Sequence, residues 1–400
     1  MNRGLWLLVS LEFMAVLGNQ LLSLAIYCML VLGVETSAQN LLALFVSVQV
    51  TALLMVPIAG PLLERVGPVN VLVYSGIGKA ALLGILSVAS ENGSSVYPLY
   101  ALAMGLDLFQ ISGRSSALPL LVRRIDLVKA NAVRQKMSVC ANILGPAVMG
   151  LVITEFGSRP GIAASALLFG VAALGAGWLP LESMKHRQNV RLREGTLHRF
   201  REFFRSSPQI KELLRIMLFW MAASGLFQYG FPLWFNEKPS ANAFGMGVAF
   251  SMFNLGAFGG AVVVFRLGND RFKSVLRQSL LVEASCILSL ALISQGVAFE
   301  GGLLLLIGAA SAIQQVMLES GLQAGCPPHL LARLMSLGAG LRCFGALIGA
   351  MLGALVVHQF GMTSSLLLAA AAFALISFRI GTGATDLPYA GESASNAPSP

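Results

Sequence analysis

The sequence predicts an all-α membrane protein whose twelve transmembrane helices form two pseudo-symmetric six-helix bundles. The first reason is composition: of 400 residues, 56% are hydrophobic and only 11% are charged, whereas about a quarter of the residues of an ordinary soluble domain are charged. The second is a series of apolar stretches long enough to cross the hydrocarbon of a bilayer, which takes roughly 20 residues per helix. The third is an internal repeat that divides the chain into two halves.

Twelve apolar stretches are predicted to be spans, six in each half of the chain. The first of them is expected to be an uncleaved helix, because it is too long for a signal peptide and is followed by further spans. The predicted spans are 5–31, 40–62, 69–89, 97–119, 133–154 and 160–181, then 211–235, 243–265, 276–296, 302–325, 334–357 and 362–380.

The repeat is clearest around the fifth and eleventh spans. Leu144-Gly145, Leu151-Val152 and Phe156-Gly157 recur 204 positions later as Ile348-Gly349, Leu355-Val356 and Phe360-Gly361. Repeated halves of this kind are typical of secondary transporters, which bind their substrate between the repeats.

Charge distribution predicts the topology and the domain organisation. Nine lysines and arginines lie between Lys185 and Arg215, whereas the alternate loops hold only Arg159 and Lys238. By the positive-inside rule both termini and the central loop are cytoplasmic. The net charge of +9 is therefore interpreted as a topology signal and not as nucleic-acid binding. The predicted domains are a bundle over 1–182, a basic linker with an amphipathic surface helix over 183–208, a bundle over 209–380 and a disordered tail over 381–400.

The loop after the second span carries a recognisable motif. The motif consists of Gly60, Glu64, Arg65 and Gly67. Gly60 allows two helices to approach closely, Glu64 and Arg65 supply an acid and a base, and Gly67 allows a tight turn. This loop resembles the signature of the major facilitator superfamily, although Pro68 and Val69 stand where that family usually has basic residues. The resemblance implies a twelve-helix transporter in which this cluster latches the cytoplasmic side.

A longer stretch resembles one branch of that family. Gly113 to Val122, Lys129 to Ala132 and the group Gly145, Pro146 and Gly150 are similar to enterobactin-type siderophore exporters and macrolide efflux proteins. The glycines permit close helix contact, and Pro146 removes a backbone hydrogen bond and can bend its span. Two interpretations stay open for this kink, that it only packs or that it also biases the direction of transport.

Charged residues inside the spans indicate where coupling to protons takes place, because burying a charge in the bilayer is costly. Asp107, Gln110 and Arg114 share one face of the fourth span. An acid beside a cation that tunes its pKa is what a proton-coupled carrier needs. Asp107 is the first proton-coupling candidate and Glu12 the second, with Asn19 and Gln20 deeper in the first span. The alternatives are a structural ion pair of Asp107 with Arg114 and an interfacial position for Glu12.

Two further pairs of charges are predicted to be structural. Lys79 and Glu283 are separated by the repeat shift of 204, so they occupy equivalent places in the third and ninth spans. Both are expected to snorkel or to pair helices. Glu319 and Arg342 lie at similar depth on consecutive spans and are expected either to form an ion pair or to make separate contacts.

The function predicted from these features is export of a small amphiphilic organic molecule from a bacterium across its inner membrane, by proton antiport and alternating access. The partners expected are this substrate and the lipid bilayer, and the protein is expected to be a monomer. No cofactor is expected, because the proton gradient supplies the energy. No metal site and no enzyme activity are expected either. The alternatives are an importer or lysolipid flippase and, in another class, a non-transporting sensor. The residues predicted to line the substrate cavity are Asn19, Gln20, Gln110, Gln228, Tyr229, Trp234, Asn254, Gln314 and Gln315.

Overall fold

A computed structural model describes residues 3–31, 38–89, 93–121, 127–179, 196–238, 241–266, 272–293, 296–327 and 330–382. In these ranges the chain forms helices and no strands. The helices are α1 (Arg3–Val31), α2 (Ala38–Val66), α3 (Pro68–Ala89), α4 (Gly93–Leu121), α5 (Leu127–Phe156), α6 (Ser158–Ala176), α7 (Thr196–Ser206), α8 (Pro208–Asn236), α9 (Ala243–Arg266), α10 (Phe272–Leu292), α11 (Val297–Ala324), α12 (Leu331–Phe360) and α13 (Met362–Gly381).

Twelve long helices lie where the twelve spans were predicted, which confirms the predicted fold class. Within the described residues, ten helices are long and apolar enough to cross a membrane. The other two long helices, α4 and α8, each have 29 residues, which is also enough for the hydrocarbon core. They are less apolar because α4 carries the intramembrane charges and α8 begins with a charged turn.

The short helix α7 lies in the predicted linker. Of its described side chains, Phe203 and Phe204 are half-buried while Arg201 and Arg205 are exposed. The ammonium of Lys211 lies 5.9 Å from the centre of the Phe204 ring. A helix with aromatic residues on one side and cations on the other suits an interfacial position, which stays a prediction. The rest of the linker, 183–195, and the tail, 383–400, lie outside the described residues.

The helix boundaries repeat the shift found in the sequence. Helix α12 begins and ends 204 positions after α5, and α10, α11 and α13 begin 204 positions after α3, α4 and α6. Gly157 and Gly361 are also equivalent, and each has a positive φ, 80° and 87° respectively, directly before the last helix of its half. Only glycine adopts this conformation freely. In both halves, therefore, the turn between the last two helices depends on a glycine with a positive φ.

The chain divides into two compact units. Unit 1 comprises Met1–Val190 with Phe235–Ser251, and unit 2 comprises Arg191–Trp234 with Met252–Pro400. In unit 1, α3 packs on α4 and α6, α1 packs on α5 and α6, and α2 packs on α4. In unit 2, α10 packs on α11 and α13, which repeats the arrangement of α3. Helix α3 therefore lies between α4 and α6, and its opposite face, with Tyr74, Ile85 and Val88, is exposed.

Glycines permit a close helix crossing at equivalent places in the two units. A Cβ atom at Gly145 on α5 would lie 2.5 Å from the Cβ of Gln20 on α1. At the equivalent Gly349 on α12, a Cβ would overlap the carbonyl oxygen of Ala222 on α8. Small residues at such crossings allow close backbone contact, on which helix association in lipid depends. The predicted close contact at Gly145 is thus a contact with the first helix.

Gly145→Ala should lower the stability of unit 1 by ~1–3 kcal/mol, because the added methyl forces α1 and α5 apart or moves Gln20. The measurement is the midpoint of thermal unfolding of the purified protein in mild detergent. Gly84→Ala on α3 is the matched control, since nothing lies within 4 Å of a Cβ there. Equal midpoints for the two variants would contradict this account of the crossing.

Candidate functional site

A buried charge cluster joins three helices of unit 1. The Lys79 ammonium on α3 lies 3.1 Å from Asp107 Oδ1 on α4 and donates to Asn19 Oδ1 on α1 at 2.5 Å. The Asn19 side chain in turn donates from Nδ2 to Asp107 Oδ1 at 3.0 Å. The Lys79 side chain is completely buried, whereas 16% of the Asp107 side chain is exposed. The carboxylate is therefore the more exposed member of the pair.

The Lys79 ammonium also rests on an aromatic ring. Its Nζ atom lies 4.2 Å from the centre of the Phe169 ring on α6, which is within the range of a cation–π interaction. The ring in turn needs the glycine at position 18, because a Cβ there would lie 2.9 Å from Phe169 Cε2. An ion pair, an amide and a ring together stabilise a charge that would otherwise be very costly in this environment.

This cluster bears on two expectations. Of the two roles expected for Lys79, snorkelling or helix pairing, the structure shows helix pairing, because the buried ammonium contacts α4 and α1. The ion-pair partner of Asp107 is Lys79 and not Arg114. The sequence did contain a signal for this pair, since a lysine in the middle of an apolar span needs a partner.

Gln110 and Arg114 lie about one and two turns beyond Asp107 on α4 and are both buried. Arg114 NH1 donates to Gln110 Oε1 at 3.2 Å. Together with Leu11, Ala15 and other small or apolar side chains they line a cavity of about 20 Å³, which has room for about one water molecule. Asp107, Gln110 and Arg114 thus all point into unit 1, as the helical spacing predicted.

Glu12 is paired as well. Its Oε2 atom lies 3.3 Å from Arg134 Nε on α5, at an angle that does not make a hydrogen bond. Arg114 is close enough to act by its charge on both Glu12 and Asp107. The two acids proposed from the sequence therefore belong to one electrostatic network, and the interfacial position considered for Glu12 stays a prediction.

Deeper along α1, polar side chains make further contacts between helices. Gln20 Nε2 donates to Asn142 Oδ1 on α5 at 2.7 Å, one turn before Gly145. The Ser23 and Tyr100 hydroxyl groups are 3.5 Å apart. Asn19 and Gln20, predicted to line a cavity, are thus bonded to neighbouring helices in this structure.

The Gly-Pro segment of α5 contacts the first part of α9. A Cβ at Gly150 would lie 2.9 Å from the Ala243 carbonyl oxygen, and Ser251 donates a hydrogen bond to the Ile143 carbonyl at 2.8 Å. Proline at 146 removes one backbone donor from α5, and Pro146 lies inside the helix without ending it. The expected close contact is present, and its effect on transport direction stays a prediction.

The motif between α2 and α3 forms a tight turn. Gly67 has φ 86°, and its amide donates to the Leu63 carbonyl at 3.0 Å. Arg65 is exposed. The side-chain surroundings of Gly60 and Glu64 lie outside what the structure describes, so the latch expected of this motif stays a prediction.

The residues of unit 2 that were predicted to line the substrate cavity differ in how deeply they are buried. Tyr229, Trp234 and Gln314 are buried, and their place in a substrate cavity stays a prediction. Gln228 and Gln315 are exposed and Asn254 is half-buried. Gln315 donates to Glu319 Oε1 at 3.4 Å, and Arg342 forms an ion pair with the same Glu319 oxygen.

The family is decided by comparison with known proteins. Residues 8–350 match the Major Facilitator Superfamily. The chain belongs to the major facilitator superfamily. No curated protein matches this sequence significantly.

Solved structures show the same fold. The nucleoside transporter NupG is 13% identical with a TM-score of 0.77, covering 95% of this chain and 98% of that one. A POT family transporter in complex with 5-aminolevulinic acid is 12% identical with a TM-score of 0.76, covering 96% of both chains. Family and fold together identify this major facilitator protein as an integral multi-pass transporter of a small molecule, and not as an enzyme.

Proposed function

We propose that this transporter exports a small amphiphilic organic molecule, such as a siderophore, an antibiotic or a drug-like compound, in exchange for protons. The observation that carries the proposal is the buried cluster of Lys79, Asp107 and Asn19, a titratable carboxylate inside a membrane-spanning unit. The protein would lie in a bacterial inner membrane with both termini in the cytoplasm, as the loop charges indicate.

The cluster gives protonation a structural consequence. When Asp107 binds a proton, its attraction for Lys79 is lost and the contact between α3 and α4 weakens, while Lys79 keeps only Asn19 and the Phe169 ring. A proton therefore changes the relative stability of arrangements in which these three helices are held together or released. That difference in stability is what alternating access needs from a coupling ion.

Glu12 is the second coupling residue in this proposal. Its partner Arg134 and the nearby Arg114 place it in the same network as Asp107, so a proton on one acid alters the electrostatic energy of the other. Export is supported by the resemblance of the group Gly145, Pro146 and Gly150 to siderophore exporters and macrolide efflux proteins. Import is the competing function, and nucleosides and peptides, which NupG and a POT-type transporter carry by their names, are the substrates to test for it.

The experiment is substrate uptake into everted membrane vesicles from cells that produce the protein, with vesicles from cells that lack it as the control. Acidifying the vesicle lumen should drive an exported compound inward, and an uncoupler should stop this uptake. The panel contains siderophores, drugs, lysolipids, nucleosides and peptides. Uptake of lysolipids, or of nucleosides and peptides into right-side-out vesicles only, would contradict the proposal, as would no proton-driven uptake of any siderophore or drug.

A further inference from the structure

Unit 2 contains a buried acid at the place that Lys79 occupies in unit 1. Glu283 lies on α10, 204 positions after Lys79, and only 2% of it is exposed. Its Oε2 atom has no hydrogen-bond partner, and among the described residues it takes part in no ion pair. Phe373, equivalent to Phe169, is also completely buried. The repeat thus retains the aromatic residue but replaces a cation by an acid.

The side chain beside this acid is an amide with no partner of its own. Gln314 on α11 adjoins Glu283, is completely buried, and is the repeat equivalent of Gln110. Neither Gln314 Nε2 nor Gln314 Oε1 makes a hydrogen bond. Buried polar atoms without partners are rare in proteins and call for an explanation.

The charged groups of the neighbouring helices do not balance Glu283. The titratable group next to Glu283 is Cys286, which lies one turn further along α10. On α11, Glu319 pairs with Arg342, and on α13, Arg379 pairs with Glu212. The remaining charged residues of the adjacent helices lie in or near their first turns: Lys273 and Arg277 on α10 and Glu300 on α11.

We propose that Glu283 and Gln314 form a proton-binding site inside unit 2, in which Glu283 is held as the neutral carboxylic acid. Hydrogen-bond capacity supports this protonation state. A neutral acid has one donor and one acceptor, and the Gln314 amide offers one acceptor and a donor group, so a small rotation pairs both. An ionised carboxylate can only accept hydrogen bonds, so it would leave Gln314 Oε1 without a partner. It would also place an uncompensated charge inside the membrane-spanning unit.

This site makes the two units electrostatically different. Unit 1 stabilises Lys79 with a carboxylate, whereas unit 2 stabilises an acid with a proton. The inference goes beyond the proposed function and does not rest on it, because Glu283 binds its proton whatever the cargo and whether or not Asp107 couples transport. Its failure and the failure of proton-driven export are therefore separate results.

The test is infrared difference spectroscopy of the purified protein in lipid nanodiscs, comparing H₂O with D₂O at neutral pH. The wild type should show the C=O band of a protonated carboxylic acid, and Glu283→Gln should lose it. Glu319→Gln, which removes an acid that is ion-paired to Arg342, should leave the band unchanged. A Glu283→Gln spectrum that keeps the wild-type band would overturn the proposal.

Two further measurements keep the proposal open to refutation if one variant folds poorly. Gln314→Leu should keep the band but move it to higher frequency, because the acid carbonyl loses its hydrogen bond to the amide. Glu283→Gln should unfold at the wild-type temperature, since a neutral acid and an amide have the same shape. The proposal would also be overturned if the wild type lacked the C=O band of a protonated acid and its unfolding temperature rose with Na⁺. That result would indicate that a metal cation, and not a proton, neutralises Glu283.

Discussion

Asp107→Asn should reduce substrate accumulation driven by a pH gradient to the level of vesicles that lack the protein. Asparagine has the size of aspartate, and its carbonyl oxygen can still accept a hydrogen bond from the Lys79 ammonium, but it cannot bind and release a proton. The driving force should therefore be lost, and the variant should also be less stable than the wild type, because the buried Lys79 ammonium keeps only hydrogen bonds and the Phe169 ring. Exchange of labelled for unlabelled substrate across the membrane, which needs no net proton movement, should continue.

The measurement is uptake in everted vesicles with and without a pH gradient, at equal amounts of membrane-inserted protein. Glu319→Gln is the matched control, because it removes a carboxylate of unit 2 that is also paired to a cation. If Asp107→Asn accumulates substrate like the wild type, Asp107 is not the coupling acid and Glu12→Gln becomes the decisive variant. If neither change alters the proton-driven flux, neither acid is the coupling residue and the proposed coupling site is wrong.

Lys79→Met should destabilise the protein by ~3–5 kcal/mol, the cost of leaving one member of a buried ion pair without its partner. Methionine fills a similar volume, so the loss is mainly electrostatic: Asp107 keeps Asn19 as its one recorded hydrogen-bond donor. Adding Asp107→Asn to this variant should restore most of the stability, because the double variant buries no uncompensated charge. The cost of the two changes together should therefore be well below the sum of their separate costs.

A double-mutant cycle followed by thermal unfolding in mild detergent measures this coupling. The pair Arg342→Met and Glu319→Gln serves as the reference cycle. These side chains are 27% and 28% exposed, so their coupling should stay within about 1 kcal/mol. Additive effects at positions 79 and 107 would show that the pair contributes nothing specific, and the account of the cluster would then be wrong.

The helices and their repetition were predictable because one physical quantity, the length of apolar chain needed to cross a bilayer, determines them. The boundaries of α5 and α12 fall within a few residues of the predicted spans, and Gly145 and Gly349 repeat one crossing. The proximity of Glu319 and Arg342 could also be predicted, because both lie at a similar depth on consecutive helices.

The partner of Asp107 could not be predicted in the same way. Asp107 and Arg114 share a face of α4, but seven residues separate them by roughly 10 Å along the helix axis, too far for direct contact. A cation at the same depth on a neighbouring helix comes closer, and finding it requires knowing that α3 packs between α4 and α6.

Burial was also difficult to predict for polar residues. Tyr229 and Gln314 have the residue types of a substrate cavity, yet both are packed inside unit 2. Amides and aromatic rings serve helix packing and ligand binding equally well, and hydrophobic length carries no information about which neighbour covers a side chain. The Glu283–Gln314 site became visible only when the structure showed that both side chains are buried and adjoin each other.

The dependence of Lys79 on Asp107 also limits how this sequence can change over evolutionary time. A lineage that replaces one of these residues first passes through a protein with a bare buried charge, so single replacements should be removed by selection and paired replacements should survive. Positions 79 and 107 should thus vary together among descendants of this gene. Position 283 needs no counter-charge, because a proton from water neutralises it, so its dependence on Gln314 through hydrogen bonds should be weaker than the dependence between positions 79 and 107.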